Sequence, residues 1–168
     1  IAEFYGTVYG KSPILVNAAQ SPFPSRLIQD LLFLHQIGIL PQATYKYLQA
    51  SVPDLIPEQV WVGFEYTDPV LKNFILCPET GRICVVDVDG LAENQLLGLG
   101  VAKACVRWLG PYQSLFFSSL ENQGAPDIQK YFSFIELCFL AKWMKRAFLE
   151  HDWKVIDPTL FERFRHPR

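Results

Sequence analysis

Apolar side chains recur along this chain in two rhythms, and the change from one to the other separates helical from extended stretches. From Pro24, the positions Leu27, Ile28, Leu31, Leu32, Leu34 and His35 form a broad apolar face that ends at Gly38. That pattern predicts a helix with proline in its first turn. A second helix is predicted from Pro41 to Ala50, with Tyr45 and Leu48 on one side, and Pro53 and Pro57 predict a loop after it. The apolar run Val60-Trp61-Val62-Gly63-Phe64 follows that loop and delivers Asp68. Further on, Ile83-Cys84-Val85-Val86 follows the turn signal Pro78-Glu79-Thr80-Gly81, which predicts a β-hairpin. A helical run is predicted to begin at Glu93, with Leu96, Leu97, Leu99, Val101, Ala104, Cys105 and Trp108 buried, and to stop near Gly110-Pro111. The longest helix is predicted from about Pro126 to His151, its core positions including Phe132, Ile135, Leu140, Trp143, Met144 and Phe148.

The chain opens on an aromatic run from Ala2 to Gly10, followed after Lys11-Ser12-Pro13 by Ile14-Leu15-Val16. Two β-rich runs joined by a Gly-Lys-Ser-Pro turn predict a terminal hairpin. The resulting fold class is mainly α with a small β-hairpin, an α+β arrangement. With 168 residues, half of them hydrophobic, the chain is long enough for one domain with a sizeable core. A net charge of −2 and a pI near 5.9 give no broad electrostatic reason to expect nucleic acid as a partner. No apolar run approaches the roughly 20 residues of a membrane-spanning helix. The four cysteines lack the paired spacing of a zinc site. They are expected as free or buried thiols, the alternative being a Cys77–Cys84 bridge across the hairpin in an oxidising compartment.

Candidate chemistry concentrates around the hairpin. Asp68 is followed five residues later by Asn73, and Asp87 closes the apolar strand in Asp87-Val88-Asp89-Gly90. Two carboxylates and an amide around one ribbon supply what phosphoryl transfer needs. One carboxylate orients or deprotonates an acceptor hydroxyl, while the amide oxygen and the other carboxylate hold magnesium on the phosphates.

This order of residues resembles the catalytic loop and metal-binding segment of the protein-kinase-like superfamily. The resemblance implies a kinase-like large lobe in which Asp68 is the catalytic-loop aspartate, Asn73 and Asp87 ligate magnesium and bind ATP, and Lys72 helps neutralise the transferred phosphate. Asp87-Val88-Asp89 then stands for the Asp-Phe-Gly element, in the Asp-x-Asp form of divergent and small-molecule kinases. Leu34-His35-Gln36-Ile37-Gly38-Ile39 resembles the end of the helix before the catalytic loop, although nearly thirty residues intervene here. The implied organisation is terminal small-lobe strands and hinge over residues 1–20 and the large lobe over 21–168, as a fragment of a longer protein.

Departures from the family pattern shape the expectation. Tyr66-Thr67 replaces the usual His-Arg, which removes the arginine that docks a phosphorylated activation loop, and no Ala-Pro-Glu follows Asp87. A Gly-rich loop with a strand lysine and helical glutamate is missing. The implied activity is ATP-dependent transfer to a hydroxyl of a protein or small molecule, in the cytoplasm or the secretory-pathway lumen. The alternative is a pseudokinase or interaction module, with Tyr112, Phe116 and Phe117 after Gly110 forming a partner surface or packing beneath their loop. In a third reading, an unrelated α+β domain, the carboxylates only cap turns.

Three motif-like stretches carry no chemistry. Gly6-Thr7-Val8-Tyr9-Gly10-Lys11-Ser12 is one residue short of a phosphate-binding loop. Gly98-Leu99-Gly100 has Lys103 where a dinucleotide fingerprint needs glycine, and is expected inside a helix. Val85-Val86-Asp87-Val88-Asp89 has Leu91 where a haloacid-dehalogenase-like phosphatase needs threonine. His35 is expected at a helix end.

Overall fold

The computed structural model describes residues 1–165. Along the chain run α1 (Ala2–Tyr9), β1 (Ile14–Asn17), α2 (Phe23–Gln36), α3 (Gln42–Leu55), β2 (Gln59–Tyr66), β3 (Phe74–Leu76) and β4 (Ile83–Val85). They are followed by β5 (Leu91–Leu96), α4 (Leu99–Ala104), α5 (Gln113–Glu121) and α6 (Phe132–Leu149), with short 3-10 turns between several elements. The chain is therefore α-rich with a small antiparallel sheet, as the α+β expectation required.

Two compact units share these elements. The first comprises residues 1–16 and 60–132, the second 17–59 and 133 onward. In the second unit the periodicity carries through in part: Leu27, Leu31 and Leu34 of α2 are buried, as are Thr44, Leu48 and Val52 of α3, whereas Ile28 and Leu32 of the expected face are exposed, so the buried stripe is narrower than the apolar one. Helix α3 runs past the expected stop at Ala50 and contains Pro53. The ring removes one amide donor in the last turn only, where the helix is ending anyway, and Val52 extends the buried stripe by one more turn. The Asp30 carboxylate accepts from Lys145 of α6 at 2.6 Å, and Lys145 also lies over the Phe33 ring. His35 ends α2 as expected, stacked on Tyr45 with its Nδ1 3.1 Å from the Leu40 carbonyl oxygen.

The first unit holds a three-stranded sheet in the order β1-β2-β5 and a separate β3-β4 hairpin. The hairpin pairs Phe74 with Val85, Ile75 with Cys84 and Leu76 with Ile83. Its turn closes through bonds between Cys77 and Arg82 and between Gly81 and Cys77, with Gly81 at φ 65° as the turn demands. Cys77 and Cys84 sit two positions out of register, and all four cysteines are free.

Four expectations are corrected here. The opening run is a helix, not the first strand of a hairpin: Tyr5, Val8 and Tyr9 are buried at spacings of three and four, and Glu3 complements the helix dipole at the N-terminus. High β-propensity of aromatic residues concealed that period. Residues Leu91–Leu96 form a strand where a helix was expected from Glu93. They pair antiparallel with β2, and a bulge between Gly63 and Glu65 absorbs an extra residue at Asn94, which takes φ 55°. Helix begins only after Gly98, at φ 98°, and continues from α4 into a π-turn over Cys105–Leu109. Finally, the stretch after Gly110 is helical, with Phe116, Phe117 and Leu120 buried along α5. The long last helix starts at Phe132 rather than Pro126.

Candidate functional site

Strand β2 delivers the site. Its last residue, Tyr66, is fully buried, and the chain then turns sharply: the Val70 amide donates to the Asp68 carbonyl at 2.8 Å and the Asn73 amide to the Val70 carbonyl at 2.9 Å. The Thr67 amide and hydroxyl both donate to the Gly90 carbonyl, at 2.8 and 3.0 Å. A Cβ on Gly90 would lie 3.0 Å from the Tyr66 ring and 3.1 Å from the Asp68 Cβ, so glycine permits the close approach of the two segments. On the other side Trp108 Nε1 donates to the Pro69 carbonyl at 2.9 Å.

Tyr66 is the hub of this arrangement. Its hydroxyl accepts from Asn73 Nδ2 at 3.0 Å and donates to the Asp87 carbonyl at 3.2 Å. Asn73 Nδ2 also donates to the Asp68 carbonyl at 3.2 Å, and the Val86 amide to the Asn73 carbonyl at 2.9 Å. Asp68, Asn73 and Asp87 are thereby tied together around one phenol. Phe4 and Phe74 meet the Tyr66 ring edge to face at 5.3 and 6.2 Å. Burial pushes the Tyr66 hydroxyl above its ordinary pKa, against the opposing bond from Asn73, so the phenol stays neutral and able to donate.

Around that hub the four candidate side chains differ in exposure. Asn73 is 2 % exposed, whereas the Asp87 and Lys72 side chains lie open to solvent. Asp87 holds φ 61° and ψ 63°, a left-handed conformation uncommon outside glycine. The Asp68 side chain is 43 % exposed, and its Oδ1 is bonded by Lys103 Nζ of α4. Lys72 makes no ion pair among the described residues.

Comparison of this chain with protein-family models, curated proteins and solved structures finds no match.

Beneath the site lies a group that sequence reasoning passed over. Glu65 is completely buried. Its carboxyl accepts from Tyr9 Oη at 2.9 Å and from the Gly98 amide at 2.5 Å, with further backbone bonds from Gly100 and Tyr66. Burial pushes Glu65 up to about 8 despite these donors, and pushes the Tyr9 and Tyr5 hydroxyls upward as well. The Gly98-Leu99-Gly100 turn that superficially suggested a nucleotide fingerprint is a strand-to-helix turn after all, occupied by the chain's own carboxyl. A lone acid between Phe64 and Tyr66 in an apolar strand, and a lone lysine in the apolar stretch from Leu99 to Cys105, were the signals available for Glu65 and Lys103. Among the described residues no cluster of three or more His, Cys, Asp or Glu could hold a metal, and no helix is long and apolar enough to cross a membrane.

Proposed function

We propose that this chain is a kinase-like large lobe and carries the acceptor- and magnesium-binding half of a phosphotransferase site. The observation that carries this reading is the Tyr66 hub, which joins Asp68, Asn73 and Asp87 through hydrogen bonds across 21 residues of sequence. The left-handed backbone at Asp87 adds support, because residues held in sparsely populated conformations cluster at functional sites.

The donor types of Asn73 and Asp87, an amide oxygen and a carboxylate, are ones that magnesium shared with nucleotide phosphates accepts. Magnesium takes one or two protein oxygens and completes its shell with phosphates and water, so a single carboxylate with an amide suffices and a cage of three acids is not required. Asn73 and Asp87 would hold it, and the metal would supply positive charge to the β- and γ-phosphates of ATP. Asp68, partly exposed, orients the acceptor hydroxyl and receives its proton. Lys72, exposed beside Asn73, contributes charge toward the transferred phosphate. Buried Asn73 cannot swing away, which preorganises the amide for its task. The acceptor is a hydroxyl of a protein or small molecule.

Thermal stability of the full-length protein, with and without ATP plus magnesium, tests this. The wild type is expected to shift upward only when both are present, by an amount set by mass action, and Asp87→Ala is expected to lose the shift. Equal shifts in both proteins would remove Asp87 from the site.

A second reading, an interaction module without turnover, is favoured by one observation. Leu71, Ile75, Leu76, Ile83 and Val88, on and beside the β3-β4 hairpin, are all at least 40 % exposed, an apolar surface of the kind that marks binding faces. Phe116 and Phe117 do not contribute to such a face, since both are buried; of that trio only Tyr112 is exposed.

A further inference from the structure

Helix α4 connects the buried carboxyl of Glu65 to the open carboxylate of Asp68. Glu65 bonds the amides of Gly98 and Gly100, which fixes the first turn of α4 against the end of β2. Gly100 tightens the joint further: a Cβ there would overlap the Tyr66 carbonyl oxygen and lie 2.8 Å from Glu65 Oε1. One turn later the same helix presents Lys103, whose ammonium bonds Oδ1 of Asp68 across 35 residues of sequence. The Lys103 side chain is more enclosed than its partner, at 23 % against 43 % exposure.

The asymmetry matters chemically. A lysine bound to one carboxylate oxygen restrains rotation of the carboxylate and leaves the second oxygen outside that bond, on a side chain 43 % exposed. We propose that Lys103 is a positioning residue for the phosphoryl transfer suggested above: it holds Asp68 through Oδ1 so that Oδ2 receives the acceptor's proton, and Glu65 sets its reach by fixing the start of α4. This rests on the phosphotransferase reading of Asp68. In the step, the acceptor oxygen forms a bond to the γ-phosphorus as the bond from that phosphorus to the β,γ-bridging oxygen breaks. The hydroxyl proton passes to Asp68 Oδ2, and ADP departs with the bridging oxygen and its electron pair. Lys103 keeps its own proton throughout. Its task differs from that of Lys72, which would meet the phosphate rather than the carboxylate.

The test uses magnesium-ATP as the probe and water as the acceptor hydroxyl donor, with phosphate release and nucleotide affinity measured separately on the full-length protein. Lys103→Met keeps the length and apolar stem of the side chain and removes the charge. It is expected to lower kcat by about 100-fold, the scale on which a positioned general base acts. Magnesium-ATP affinity should change by less than about threefold, because Lys103 binds the carboxylate and not the nucleotide. Lys103→Arg should recover most of the lost rate, which simple destabilisation of α4 would not allow. Lys11→Met, at an exposed lysine outside the site, is the control and should match the wild type.

A Lys103→Met protein with wild-type kcat, or with raised kcat because the lysine had been blocking Asp68, would overturn the proposal while leaving the nucleotide site intact. Equal loss in the Met and Arg variants would overturn it too. Wild-type protein that neither binds magnesium-ATP nor releases phosphate would remove the phosphotransferase reading itself, and this inference with it.

Discussion

Glu65 is the residue at which burial and charge conflict most directly. Ordinary glutamates ionise near 4.5, and this one is raised to about 8 because burial outweighs four hydrogen-bond donors. Tyr9 and Tyr5 stand beside it with raised pKa values of their own and remain neutral across the same range. The folded state therefore binds a proton that the unfolded state releases above pH 4.5. Its contribution to stability is complete below pH 4.5 and is lost as pH rises through about 8. At about 1.4 kcal/mol per pKa unit, the loss is of order 3–5 kcal/mol across that window. Urea denaturation of wild type and Glu65→Gln at pH 5 and pH 8 isolates the effect, since glutamine cannot titrate. The gap between the two proteins should narrow or reverse toward pH 8; a pH-independent gap would mean that Glu65 is ionised throughout. Buried polar groups of this kind are satisfied here, for among the described residues no buried side-chain nitrogen or oxygen lacks a partner.

At the scale of elements, α4 depends on a glycine that no turn or positive φ explains. Gly100 lies inside the helix, where alanine is ordinarily the better residue. Yet a methyl group there would overlap the Tyr66 carbonyl and crowd both Glu65 and the Tyr5 hydroxyl. Gly100→Ala is accordingly expected to destabilise the first unit by about 3 kcal/mol or more, since backbone atoms rather than a pliable side chain must move. A loss below about 1 kcal/mol in chemical denaturation would contradict the tight joint between α4 and β2. The same joint shows why some elements were legible in the sequence and others were not. Helices α2 and α3 announce themselves through Leu27, Leu31 and Leu48, because one face of each is buried, while the apolar Val60–Phe64 run marks β2 although only Val60 in it is fully buried. Strand β5 was hidden: Leu-Ala-Glu-Asn-Gln-Leu has no clean alternation, and it is extended because β2 supplies its hydrogen bonds and Asn94 takes up the bulge. Helix α1 was mistaken for a strand because its aromatics favour both states locally, and only burial of Tyr5 and Tyr9 decides between them.

For the whole molecule, the candidate site was partly visible along the chain. Asp68, Asn73 and Asp87 are marked by spacing and by the hairpin between them. Tyr66, Lys103 and Glu65 act through contacts that span up to 61 residues, and a lone acid and a lone lysine in apolar stretches were the only local signals for Glu65 and Lys103. Under the phosphotransferase proposal, this division predicts how the molecule should respond to magnesium-ATP. The segments 66–73 and 83–90 are joined by two backbone bonds, from Thr67 to Gly90 and from Val86 to Asn73, and by side-chain bonds of Tyr66 and Thr67, while the apolar hairpin beside them is open to water. Such regions open locally at a small fraction of the global unfolding cost. Magnesium-ATP bridging Asn73 and Asp87 would suppress that opening, so amide hydrogen exchange in both segments should slow by about 10-fold or more at ligand concentrations well above Kd. Removing magnesium with a chelator, ATP still present, should restore the original exchange, because in the proposed site the metal would join the two segments. Protection that survives chelation would locate ATP binding elsewhere, and protection of the hairpin by a protein partner but not by magnesium-ATP would favour the interaction module.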